Sequence, residues 1–502
     1  MQPKRKHRGR PEATRLNSGM WNSYSLVDAT DWIAFAMAAI VVLCQVAVSP
    51  TIGLADNGDF PKIASKFNLR PQVVDQDLYG HYATTAYTYV PNGYWDSGFL
   101  TTETALSWLA INIGWALSGD RSFDLRLLGL LHSGLFLVAF ALALPLFRNF
   151  QKGSRRLIIA LAILMFADTM YVEYFSSFYM DTSAFLFLIL ATVLFLRARS
   201  LSSGPFIAFF LLACCCLFVL SKAQHALLWI PLAFFCLQGD VLLWPSWPFL
   251  SRVTAIGLLA ACSMFAFLHV PPGYESPALL TVIVRGLLPS AKNPSAELKE
   301  LGLDDSFLRY AGMTAYATGL PIQDPRWSKA FAKRTSYSKL ALFYLRHPFR
   351  AAYVLDSGLN GATYQRTPYL GNFDKTAGYP PDAKSYRFSL WSELKTKLLL
   401  NHSWLYLIYF LGLVALVVRR FPLYGLALAT MALLELAIGA LADDAENTRH
   451  LFIFNCLVDL TAICAVATLL RTVKQRSLSS VITGQSIRSR PGSGRLYSRH
   501  KR

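Results

Sequence analysis

The chain has 502 residues, of which 54% are hydrophobic and only 16% charged, and its formal net charge is +18 at pH 7. Its apolar residues come in blocks long enough to cross a bilayer, which excludes a water-soluble globular protein and makes this an integral membrane protein. The basic excess does not indicate nucleic acid: the basic termini are rich in Ser, Arg and Gly, lack interleaved aromatics and flank apolar runs, so anionic lipid and membrane topology account for them.

Residues 1–31 carry Lys4, Arg5, Lys6, Arg8, Arg10 and Arg15 and read as a basic cytoplasmic tail. The first apolar run, 32–53, is too long for the core of a cleaved leader, and Pro50 follows its only small-residue site, so a retained span is expected. A spanning helix needs about 20 mostly apolar residues. That test predicts an all-α polytopic fold with ten spans, near 32–53, 124–147, 156–172, 181–196, 205–221, 224–238, 252–270, 398–418, 422–442 and 450–470. A further stretch, Ala105 to Leu117, is shorter and flanked by Glu103 and Asp120, which suits a helix on the membrane surface.

Lys and Arg fill every second connection: Arg148 to Arg156, Arg197 and Arg199, Arg252, Arg419 and Arg420, then the tail from Arg471 to Arg502. The loops 171–181 and 443–449 instead hold Glu173, Asp181, Asp443, Asp444 and Glu446 against a single Arg449. Short cytoplasmic loops hold the positive charge, so both termini are expected in the cytoplasm of a bacterial cell, with the acidic turns outside. The transmembrane domain is then 32–470, with an outer loop at 55–123 and an extracytoplasmic region at 271–397, and 471–502 reads as a disordered basic tail. All eight cysteines fall in predicted spans and read as small apolar residues.

No Walker-type phosphate loop, HExxH, GxSxG or clustered His/Cys set is present, so no metal site is indicated and no cofactor is called for, although a divalent metal is compatible with the chemistry below. The charged residues gather instead at the outer ends of spans. In "LADNGDF", residues 54–60, Asn57-Gly58 is a strong turn signal, so Asp56 is expected to shape the turn while Asp59 projects from it. Glu173 and Asp181 bracket the next outer turn, where Asp181 can cap a helix N-terminus, and "DDAENTRH" holds Asp444, Glu446, Arg449 and His450. Within predicted spans lie Glu435, Asp459 and His132, where ionisable residues need partners.

The order of "LADNGDF", "YFSSFYMDTSAF", a large loop before the eighth span and "RHLFIFN" resembles the GT-C superfamily of polyprenyl-phosphate-dependent membrane glycosyltransferases, and "FYLRHPFRAAY" and "YLGNFDKTAGYPP" look like loop segments of its bacterial surface-glycan members. The resemblance implies transfer of a sugar from a polyprenyl-phosphate donor to a hydroxyl of an envelope glycan or lipid-linked glycan, with inversion, at the outer face of the cytoplasmic membrane. Asp59 would act as base with Asp56 beside it, and Arg449, His450, Lys222 and His225 would face the donor phosphate. Glu173, Asp181, Asp444 and Glu446 would be supporting acids, and His347, Tyr369 and Asn372 would belong to the acceptor or sugar loop. The rival readings are a transporter or flippase of a lipid-linked glycan, suggested by the acids within spans, and a non-catalytic polysaccharide assembly protein.

Overall fold

The computed structural model describes residues 28–73, 78–91, 98–200, 205–237, 243–271, 274–315, 317, 319–443 and 446–488. The N-terminal tail before residue 28, Asp444 and the end of the C-terminal tail lie outside the described residues.

Long apolar segments have no water to satisfy their backbone in lipid, so they must form helices. In chain order the helices are α1 (Ala29–Val46), α2 (Thr102–Ser118), α3 (Leu125–Ala143), α4 (Lys152–Phe166), α5 (Met180–Ser200), α6 (Pro205–Val219), α7 (Trp229–Leu237) and α8 (Pro248–Leu268). The outer segment adds α9 (Glu275–Thr281), α10 (Pro294–Glu300), α11 (Pro325–Arg334), α12 (Tyr337–Arg346) and α13 (Pro348–Ala362), and the chain closes with α14 (Leu390–Leu399), α15 (Ser403–Arg420), α16 (Pro422–Ala442) and α17 (Phe452–Arg488). Among the described residues seven helices, α1, α3, α5, α8, α15, α16 and α17, are long and apolar enough to cross a membrane.

The other three expected spans are shorter. Residues 205–221 and 224–238 give the apolar helices Pro205–Val219 and Ala223–Phe235. The run 156–172 is divided, because the Asp168 carboxylate accepts from the Met170 amide at 2.9 Å and caps a separate turn, Thr169–Val172, after α4 has ended. At the N-terminus the expected tail boundary moves from residue 31 to 28. Asp28 caps α1, and Asp31 within it binds Arg148 at 2.7 Å and also pairs with Arg155. At the C-terminus α17 continues to Arg488 instead of giving way at 471, and no proline interrupts it before Pro491.

Helix α5 is the centre of the bundle, buried along most of its length and packed against α3, α6 and α17. Helix α2 rests on α3 and α5 and turns Trp108, Leu109, Ile113 and Leu117 outward. Glu103, expected as a polar flank of this helix, is fully buried 3.2 Å from His132 of α3. The all-α expectation needs one correction, a three-stranded antiparallel sheet of β1 (Leu69–Pro71), β2 (Ala86–Tyr89) and β3 (Ser122–Asp124), with Leu69 opposite Tyr89 and Tyr87 opposite Phe123. Alternation in "AYTY" drives it: Tyr87 is buried with its ring 5.3 Å from that of Phe178, while its neighbours point away.

The outer segment has a core of its own, with Leu280, Ile283, Phe307, Phe331 and Phe343 among its buried residues. Its last two helices are separated at His347-Pro348, because a proline cannot continue the helix before it: α12 ends at Arg346 and Pro348 is the first residue of α13. The Gly/Tyr/Pro-rich stretch that follows takes its order from the first outer loop. Gly53 and Ala55 donate their amides to the carbonyls of Asn372 and Gly371 at 3.0 and 2.9 Å, and Ala83 donates to Phe373 at 3.0 Å. A Cβ on Gly371 would lie 1.8 Å from the His81 carbonyl oxygen. Gly371→Ala is therefore expected to lower stability by about 1–3 kcal/mol, as other overpacked sites do. Thermal unfolding of the detergent-solubilised protein measures this, and an unchanged midpoint would show that the two loops can separate freely.

Candidate functional site

The site begins in the loop that follows α1. In "LADNGDF" the Asp56 Oδ1 accepts from the amides of Gly58 at 2.8 Å and Phe60 at 3.0 Å, which is the turn-shaping role expected of it. Gly58 has φ of +101°, a conformation that a side chain would strain. Two tyrosines clamp the turn: Tyr79 donates to the Asn57 carbonyl at 2.5 Å and Tyr179 to the Ala55 carbonyl at 2.7 Å.

Asp59 does project from the turn, but straight into cations. It forms ion pairs with Lys62, one helical turn later, and with Arg449 from the segment before α17. Arg449 is 5% exposed, too buried for a side chain that merely snorkels to the interface. Its guanidinium also binds Glu446 at 2.5 Å, approaches Asp181 to 3.8 Å and lies 5.0 Å from the Tyr179 ring centre. Glu446 takes two 2.7 Å hydrogen bonds from the Asn57 amide group and sits beside Tyr369. Lys222, at the turn between α6 and α7, binds Asp181 at 3.1 Å. Asp181 thus spends its carboxylate on cations and not on capping α5.

These elements bring Asp56, Asp59, Lys62, Asp181, Lys222, Tyr369, Glu446 and Arg449 to one mouth. His450 lines its inner side, 3.3 Å from Asp443. His225 lies one layer deeper, bound to Glu435 at 2.6 Å, and Gln224 bridges Glu435 and the His450 carbonyl at 2.8 Å each. A small cavity of about 50 Å³, lined by Phe99, Met180, Lys222, Gln224 and Tyr274 among others, opens beside Lys222. Lys62 faces this aromatic wall, 4.7 Å from the Tyr274 ring.

The electrostatics separate the two acids of the opening turn. Burial would raise Asp59, but Arg449, Lys62 and Lys222 outweigh it and hold the carboxyl well below the usual range. Burial pushes Asp56 up to about 6, against the hydrogen bonds from Phe60 and Gly58 that favour its ionised form. Arg449 is desolvated yet keeps its charge firmly, because Asp59, Glu446 and Asp181 attract it more strongly than burial disfavours it. Burial drives His450 well below the ordinary histidine value, with Lys222 and Arg449 repelling its proton, so it is neutral and not the cation its type suggests.

Other sequence-selected residues stand elsewhere. Glu173 binds Arg366 at 2.7 Å and Asn372 at 3.0 Å, and Asn372 also donates to the Gly53 carbonyl at 2.8 Å. This buried triad pins the 363–389 stretch to the bundle and is not part of the mouth. His347 lies on the outer segment's surface, 2.8 Å from Glu300, and is not brought to the site either. The ionisable residues picked out within spans each have a partner: Glu435 has His225, Asp459 has Lys395 at 3.0 Å and the Tyr171 hydroxyl at 2.8 Å, and His132 has Glu103. Lys62, Tyr179 and Arg366 were not singled out by sequence, and Asn57 was read only as a turn residue and not as a partner of Glu446. The spacing of Asp59 and Lys62, three residues apart and one turn on a helix, was a signal for the first.

Among the described residues no group of three His, Cys, Asp or Glu side chains could hold a metal ion. The positive charge that the mouth offers an anion comes from Lys62, Lys222 and Arg449.

Comparison with known proteins finds one family. The model of the YfdI N-terminal transmembrane domain matches residues 21–485, nearly the whole chain. No curated protein and no solved structure matches.

Proposed function

The chain belongs to the YfdI N-terminal transmembrane domain family, and we propose that it is a membrane glycosyltransferase of the GT-C kind, using a polyprenyl-phosphate sugar to modify an envelope or lipid-linked glycan at the outer face of the bacterial cytoplasmic membrane. The observation that carries this reading is the pairing of unlike carboxylates in one turn beside a cluster of cations. Asp59 is fully neutralised by Lys62 and Arg449, whereas Asp56 has no cation partner among the described residues and is poised near 6.

Asp56, and not Asp59, is then the better base. An acceptor hydroxyl oxygen attacks the anomeric carbon as its proton passes to the Asp56 carboxylate. The bond from that carbon to the phosphate oxygen breaks, the oxygen keeps the electron pair, and the configuration inverts. A base with a pKa near the working pH combines the right charge state with adequate driving force. Lys222, Lys62 and Arg449 would balance the phosphate charge, each already oriented by a carboxylate. Tyr369, Tyr79 and Tyr274 supply rings at the mouth on which a sugar can stack. One argument weighs against the transporter reading: the in-span acids are locked in fixed pairs, whereas a proton or solute relay needs groups free to exchange partners.

The base assignment fixes a pH dependence. Asp56 must be ionised to accept the proton, so kcat/KM for transfer is expected to fall as pH drops through about 6. An acid limb near the ordinary carboxylate value would point away from Asp56. The reading as a whole is tested by glycan analysis of strains carrying the wild-type gene, Asp56→Asn or a deletion. A complete, unaltered glycan in the deletion strain would remove the enzyme reading, and a finished lipid-linked glycan stranded on the cytoplasmic side would favour the flippase.

A further inference from the structure

A second cavity lies at the end of the bundle far from the acidic mouth, and it takes no part in the proposed reaction. It measures about 340 Å³ and sits between α3, α4, α5, α16 and α17, walled by apolar side chains such as Phe140, Phe166, Leu196 and Leu460. Polar residues break this apolar lining, among them two arginines and a buried threonine. Arg199, at the end of α5, and Arg471, where α17 leaves its spanning stretch, stand on the wall, and Arg471 lies 4.7 Å from the Phe150 ring. Inside, Thr192 is 98% buried and its hydroxyl has no hydrogen-bond partner in the protein. A buried hydroxyl without a partner costs free energy unless something else satisfies it.

We propose that this cavity is a binding site for one anionic phospholipid of the surrounding leaflet, with an acyl chain in the apolar cleft, an ester carbonyl accepting from Thr192 and the phosphate between Arg199 and Arg471. Charge complementarity selects the occupant. The same end of the bundle carries Arg148, Lys152, Arg155, Arg156, Arg197, Arg252, Arg419 and Arg420, while its only acids among the described residues are Asp28 and Asp31, both engaged by Arg148 and Arg155. The positive-inside rule puts this end in the cytoplasmic leaflet, and basic pockets between spanning helices on that side are suited to acidic headgroups. A cavity of this size is large enough to bury most of a small apolar ligand. The proposal stands apart from the assignment of the mouth: it would hold for a transporter as well.

The test is native mass spectrometry of the full-length protein released from vesicles containing phosphatidylglycerol, phosphatidylcholine and a polyprenyl phosphate. One tightly retained phosphatidylglycerol is expected. Arg199→Gln and Arg471→Gln should each weaken its retention about five-fold, given about 1 kcal/mol per basic residue at an anionic surface, and the lysine variants should keep most of it. Ala467→Trp, which fills the cavity, should abolish retention, while the two glutamine variants guard against misfolding of that protein. Equal retention of phosphatidylcholine, preferential retention of the polyprenyl phosphate, or unchanged retention in both glutamine variants and Ala467→Trp would each overturn the proposal.

Discussion

Asp56→Asn is expected to lower sugar transfer by about 10²- to 10⁴-fold, the usual contribution of a positioned general base. The substitution keeps the shape and one acceptor oxygen, so the bonds from the Gly58 and Phe60 amides can persist and the turn should stay folded. What disappears is the proton acceptor with its raised pKa. Asp59→Asn is the informative companion. Its loss leaves Lys62 and Arg449 facing a neutral amide in a buried setting, so it should reduce protein level or melting temperature as well as transfer. A protein that transfers sugar normally with Asn at position 56 and fails only with Asn at 59 would return the base to Asp59.

Arg449→Gln should be the most damaging single change to stability. Arg449 pairs directly with Asp59 and Glu446 and lies near Asp181, and removing it strips Glu446 of this cation and leaves Asp59 to Lys62 and Asp181 to Lys222 in a largely buried setting. Breaking a buried ion pair by deleting one partner costs about 3–5 kcal/mol, because the charge left behind cannot be solvated. The double variant Arg449→Gln, Asp59→Asn should recover part of that loss, since one stranded charge goes with it. Arg449→Lys keeps the charge but not the fork that reaches Asp59 and Glu446 together, and is expected to fall between. Melting curves of the purified variants decide this, and strict additivity of the two single changes would mean that Arg449 and Asp59 are energetically independent.

Much of this molecule is legible in its sequence because lipid imposes simple demands. Seven of the ten expected spans, the turn at Asn57-Gly58 and the break at His347-Pro348 follow from local rules, and the structure follows them. The places where the sequence misleads are those where a charge has a distant partner. Glu103 reads as a polar flank until His132 appears beside it, Glu173 reads as a mouth acid until Arg366 and Asn372 claim it, and Asp59 reads as a free carboxylate until Arg449 closes on it. Nothing local encodes these pairings, since the partners lie tens to hundreds of residues away. The small sheet escaped for a related reason: its strands are three or four residues long, too short for an alternating pattern to stand out.

The bond between Arg449 and Asp59 also has a consequence for biogenesis. The two residues are 390 positions apart, and Arg449 directly precedes the last spanning helix. At about 5–20 residues per second of synthesis, about 20 to 80 seconds separate their appearance. Throughout that interval the first outer loop carries its acids without their main counter-charge, and the mouth is complete only when the final helix has been inserted. Completion of this charge cluster thus waits on a late stage of synthesis, and a chain cut short before residue 449 would leave Asp59 paired with Lys62 and without Arg449.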